Sequence, residues 1–113
     1  MGNYVCQRAI HPGELLKDEV ESRGLIQKSL AEQMGIPYTA LNDILNSRRS
    51  LTATTAMLFE AAMGVSAGLL MRMQLDYNMQ VARMDKKFAA RLEAVRESAL
   101  RTSAAIWCDF HRK

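Results

Sequence analysis

The sequence predicts an all-α fold, a five-helix domain followed by a long C-terminal helical extension, and three observations carry that expectation. Leu30, Ala31 and Met34 share one face of a helical stretch, Gly35 interrupts it, and Leu41, Ile44 and Leu45 form the next apolar stripe. Pro12, Thr52 and Ser66 stand where helices begin, and Gly64 stands where one ends. From Val81 to Ile106 apolar residues return every three or four positions, with Arg, Lys and Glu between them.

A chain of 113 residues, 49% hydrophobic, has room for one domain with a small helical core. We divide it into an arm over residues 1–10, a domain over 11–78 and an amphipathic extension over 79–113. Tyr4, Val5 and Ile10 of the arm can lie extended on the domain. Pro12 then sets a helical backbone angle, Glu14 places a negative charge at the positive end of the helix dipole, and Leu15, Leu16 and Val20 supply a buried side. His11 reads as a capping or packing histidine, since no nucleophile or ligand cluster accompanies it. In the stretch from Leu25 to Asn46, Ala31 is small where two helices cross, and Gly35 can take the left-handed conformation that ends the first. Two helices at a wide angle across such a turn make a helix-turn-helix. Asn46 to Ser50 is polar and turn-like. Thr52 caps a fourth helix carrying Ala56, Leu58, Phe59, Ala62 and Met63, and Ser66 caps a fifth carrying Leu69, Leu70, Met73 and Tyr77.

Two core helices of a small all-helical domain would explain the apolar stripes alone. The second helix, however, is polar on its other face, with Tyr38, Thr39, Asn42 and Asp43, and Arg48 and Arg49 lie just beyond its end. Side chains at the start of such a helix reach base edges in a major groove, and arginines in the following loop suit phosphates. The net charge of +3 is only a weak hint of polyanion binding. Residues 11–70 carry five basic against seven acidic side chains, so affinity for DNA must come from local placement of basic groups and from helix N-termini.

The segment IHPGELLKDEV (10–20), the helix pair and the continuation ILNSRRSLTATTAMLFEAAMGVSAGLLMRMQLDY (44–77) resemble a known family. It is the lambda-repressor-like (XRE) helix-turn-helix antitoxins of the host-inhibition-of-growth type, also grouped with virulence-associated protein I. The resemblance spans residues 10 to about 78 and rests on HPGE, on the spacing of Asn42 to Arg48 and Arg49, and on the T-A-x-x-A-x-x-F/L helix, in that order. It implies a dimer that binds its own operator and caps a ribosome-associated toxin that cleaves messenger RNA. It also implies that Gln27 contacts the DNA backbone or assists base reading, and that Tyr38, Thr39 and Asp43 face bases. Asn42 matches the family's Asn-Glu pair, with Asp43 in place of Glu. The chain departs from the family at Ile26, where a Ser, Thr or Asn would cap the helix, at Pro37, where a small hydroxyl residue is usual, and at Ser47, where Gly is usual. Leu69 and Leu70 also stand where relatives carry aromatics. The departure at Ile26 weakens the first turn of its helix, those at Leu69 and Leu70 leave that end of the core less rigidly filled, and those at Pro37 and Asp43 bear on the operator sequence more than on DNA binding.

Enzyme readings find no support. The carboxylate pairs Asp18 and Glu21 or Glu93 and Glu97 have ordinary surface-helix spacing, there is no glycine-rich phosphate loop, and Cys108 with His111 has no orienting third group. No cofactor or metal is implied. Cys6 and Cys108 read as free thiols, and with no leader or transmembrane run a cytoplasmic protein is expected. The expected assembly is a homodimer presenting two recognition helices about 34–36 Å apart to a pseudopalindromic duplex. The extension cannot bury its stripe against itself. With Phe88, Leu92 and Val95 near its middle, it must fold back, pair with a second subunit or receive another protein, and we expect part of it to lie between subunits. Residues 79–113 carry eight basic against four acidic side chains, a solvated basic face or one that meets DNA flanks or an acidic partner. A stand-alone regulator, or an interaction module that neutralises a toxin without binding DNA, are the other readings. An adjacent small basic open reading frame would favour the antitoxin.

Overall fold

A computed structural model describes residues 8–111 of the chain, with side chains as far as Thr102. Tyr4, Val5 and Cys6 lie outside the described residues, as do the side chains of Ile106, Cys108 and His111. The described residues are all-α, with six helices: α1 (Pro12–Ser22), α2 (Gln27–Met34), α3 (Tyr38–Leu45), α4 (Ala53–Met63), α5 (Ala67–Met84) and α6 (Lys86–His111). No described helix is long and apolar enough to cross a membrane. The chain separates into two compact units, Met1–Asn78 and Met79–Lys113.

In the first unit, helix ends follow local chemistry. His11 caps α1, its Nδ1 accepting from the Gly13 amide at 2.9 Å, and Pro12 follows at the first helical position, where a missing N–H removes no bond. Gly35 ends α2 and Gly64 ends α4 in the left-handed region, at φ of 72° and 77°. Thr52 Oγ1 accepts from the Thr55 amide to start α4, and Ser66 Oγ accepts from Leu69 to start α5. Helix α3 packs on both α1 and α2, and α2 packs on α4. Phe59 is fully buried among Leu16, Leu41, Leu45 and Leu70, and truncating a phenylalanine so placed costs roughly 3–5 kcal/mol. Leu58 and Leu69, expected on the buried stripes, are instead 36% and 47% exposed, because Phe59 and Leu70 occupy the inward positions beside them.

Two polar side chains tie the unit together across long stretches of sequence. Gln74 of α5 is buried; its Oε1 accepts from the Leu51 amide at 2.7 Å, and its Nε2 donates to Asn78. Arg23 donates to the Met63 carbonyl at 2.6 Å, satisfying an end of α4 that its own helix leaves open, and pairs with Glu19.

In the second unit the expected single segment from residue 79 is interrupted. Helix α5 continues through Met84, and Asp85 stands alone before α6. Its Oδ1 accepts from the amides of Lys87 and Phe88 at 3.0 and 3.3 Å, the bonds of a helix N-cap. A carboxylate that captures orphan amides begins a new helix even where the apolar period runs on. Val81 and Met84 therefore belong to the end of α5, and Phe88, Leu92 and Val95 to α6.

Candidate nucleic-acid interface

The site is built outward from α3. Leu41, Ile44 and Leu45 anchor its inner side, which leaves Tyr38 and Thr39 exposed and Asn42 and Asp43 half-buried on the other. Thr39 and Asp43 are one turn apart and share a face. Tyr38, 48% exposed, lines an open groove with Ile26, Gln27 and Lys28, so the starts of α2 and α3 meet there. Neither start has a side-chain cap, since Ile26 and Pro37 hold the capping positions. Uncapped amides at a helix N-terminus are donors suited to a phosphate.

A continuous chain of hydrogen bonds crosses this surface. Asn42 Nδ2 donates to Gln27 Oε1 at 3.2 Å, Asn46 Nδ2 donates to Asn42 Oδ1 at 3.2 Å and to the Asn42 carbonyl at 2.8 Å, and Lys17 Nζ donates to Asn46 Oδ1 at 3.3 Å. Gln27 and Asn42 are thus brought together, with Asn42 engaged on both sides. Asn46 and Lys17 were not among the residues singled out in sequence.

Asp43 lies between the arginines. Its two carboxylate oxygens stand 4.0 Å from an Arg48 guanidinium nitrogen and 3.8 Å from one of Arg49. Such exposed pairs are worth about 0–1 kcal/mol, so a phosphate can take either arginine from them. Ser47, just before, has a φ of 62°, the left-handed conformation that explains why glycine suits this position.

His11 connects α1 to the same loop. Its ring is buried, meets Tyr77 edge-on at 5.0 Å between centroids, and hydrogen-bonds the backbone of Arg49. Burial holds its pKa below the ordinary value, against the opposing effects of the Arg49 bond and the Glu14 charge. The lowered pKa favours the neutral ring, whose Nδ1 accepts from the Gly13 amide. Among the described residues no cluster of His, Cys, Asp or Glu could hold a metal ion.

Comparisons with known proteins place this geometry in context. A helix-turn-helix family model matches residues 16–70. The chain is 34% identical over 80 residues to virulence-associated protein I of Dichelobacter nodosus, covering 70% of this chain and 74% of that protein. Among solved structures it is similar to an addiction module antidote protein of a HigA family from Coxiella burnetii. The two share 31% identity at a TM-score of 0.66, over 78% of this chain and 95% of that one. It is also similar to the Pseudomonas aeruginosa antitoxin HigA, solved with the higBA promoter, at 27% identity and a TM-score of 0.66 over 80% and 94% of the two chains.

Proposed function

This chain belongs to the virulence-associated protein I family of helix-turn-helix proteins, and from that premise we propose that it is a sequence-specific DNA-binding transcriptional regulator, the antitoxin of a toxin–antitoxin pair that represses its own operon. The observation that carries the reading is the surface on which Gln27 is hydrogen-bonded to Asn42 of α3 while Arg48 and Arg49 stand exposed beyond the same helix. A relative of like fold was solved with its promoter, which supports duplex DNA as the ligand here. The function is binding, not catalysis.

In this reading residues 11–78 form a five-helix lambda-repressor-like domain and residues 79–113 an extension. Helix α3 enters the major groove. Tyr38, Thr39 and Asp43 face base edges, Gln27 and the amides at the start of α2 meet one phosphate run, and Arg48 and Arg49 meet another. Repression follows from occupancy of the promoter. Two copies bind together, joined through the stripe of Phe88, Leu92 and Val95, so that the recognition helices address half-sites about 34–36 Å apart.

Fluorescence anisotropy with a duplex from upstream of the protein's own coding sequence tests the proposal, beside a scrambled duplex of the same composition. Binding of the first at least about a thousandfold tighter at physiological salt is the expected result. Equal binding of both duplexes would remove sequence-specific regulation, and co-expression with the neighbouring open reading frame would then show whether toxin neutralisation stands alone.

A further inference from the structure

We infer that Lys17 and Asn46, neither of them on the exposed face of the recognition helix, are positioning residues for DNA binding: together they determine which end of the Gln27 amide is presented to the duplex. The inference rests on the reading of Gln27 as a DNA contact.

The argument is one of donor and acceptor counting. An asparagine or glutamine amide has an accepting end and a donating end, and nothing in its shape decides which way it points. The decision comes from neighbours that can do only one thing. The Lys17 ammonium can only donate, so the Asn46 oxygen must turn toward it, at 3.3 Å. The Asn42 carbonyl can only accept, and it requires the Asn46 amine on the opposite side, at 2.8 Å. Both demands give Asn46 the same orientation. Its amine then faces Asn42 Oδ1, which turns Asn42 Nδ2 toward Gln27, and Gln27 receives that bond on Oε1. With Oε1 turned inward to Asn42, the end of the side-chain amide that Gln27 presents outward is its Nε2 amine.

The consequence is chemical selectivity. Phosphate oxygens, guanine O6 and N7 and thymine O4 all accept, and an outward amine bonds them. An outward carbonyl would repel each of them. Lys17 thus acts at a distance of three side chains, without meeting DNA.

The test is anisotropy titration of a duplex selected by the full-length protein from a random library, at several salt concentrations, with circular dichroism confirming the fold of each variant. Lys17→Met should weaken binding about fivefold, and Lys17→Arg, still a donor only, should restore it. Asn46→Asp keeps its pairing with Lys17 but offers Asn42 only acceptors, which inverts the chain and should weaken binding about tenfold or more. In a Gln27→Ala background Lys17→Met should add less than about twofold, because its route is gone. The slope of affinity against salt should be unchanged by Lys17→Met, whereas a lysine on a phosphate would lower it by about one. A full fivefold loss that persists in Gln27→Ala, or a reduced salt slope, would overturn the inference and make Lys17 an ordinary cationic contact. Unchanged affinity in Gln27→Ala itself would instead remove Gln27 from the interface. Parent-like binding by Lys17→Met and Asn46→Asp, with Gln27→Ala weakened, would leave Gln27 a contact and refute the positioning.

Discussion

Gly13 lies so close to the carbonyl of Ile44 that a methyl group on it would collide with the Ile44 oxygen, well inside the contact distance of the two atoms. The start of α1 and the end of α3 meet there backbone to backbone. Glycine in a helix is about 1 kcal/mol worse than alanine, so its presence at the second position of α1 reflects that approach and not helix preference. Gly13→Ala should therefore lower stability by about 1–3 kcal/mol despite its better propensity, seen as a lower urea midpoint with an unchanged m-value.

Ser47 makes the opposite case. It holds a left-handed backbone that costs a side-chain-bearing residue about 1 kcal/mol. Ser47→Gly should raise stability by roughly that amount, and an unaltered or lowered melting temperature would show that the serine has a compensating bond.

His11 makes stability depend on pH. Its folded pKa lies below the ordinary 6.5, so the unfolded chain takes up the proton first as pH falls. Its contribution is complete above about 6.5 and is lost as pH drops from there through the folded value. Urea midpoints should fall as pH drops below about 6.5, and His11→Asn, which keeps a capping oxygen for the Gly13 amide, should flatten that part of the profile.

Asp43 separates two roles. Replacing Arg48 and Arg49 with Ala should weaken specific and non-specific duplexes alike and flatten the salt dependence, since phosphate contacts position without specifying. Asp43→Asn removes the carboxylate that competes for both arginines, so non-specific binding should tighten while the preferred sequence shifts. A selection profile identical to the parent's would show that Asp43 only holds the arginines.

The helix pair was legible because its signals are local. Leu30, Ala31 and Met34 repeat within one turn, and Gly35 and Gly64 mark ends by their own conformational freedom. The ties that complete the fold are not local. Arg23 reaches Met63 forty residues away and Gln74 reaches Leu51 twenty-three away, and a surface-charged arginine or a mid-helix glutamine looks the same in sequence whether or not it does so. Gly13 did carry a signal, a poor helix former inside a helix, but its cause lies on α3. In the site, Gln27 was indicated by resemblance, while Lys17 and Asn46 became visible only once α1 and α3 were packed together. Asp85 was hidden for another reason. The apolar period continues through it, and period alone does not reveal a cap.

That cap also sharpens the expectation for α6. Phe88, Leu92 and Val95 follow one another at spacings of four and three, so they line one side of a helix that begins afresh at Lys86. Phe88 is 39% and Val95 57% exposed in the single chain, with Leu92 half-buried between them. Apolar side chains aligned in this way favour a partner surface, and large-to-small or charged changes at the middle of such a stripe carry the largest penalty. Phe88→Asp with Leu92→Asp should place unpaired charges in the contact, split the proposed dimer, and leave residues 11–75 folded. Operator binding should weaken with it, because each subunit would then hold one half-site alone. Analytical ultracentrifugation of the double variant decides the matter: a folded protein that still sediments as a dimer would assign this stripe to a contact within one chain or to a toxin partner.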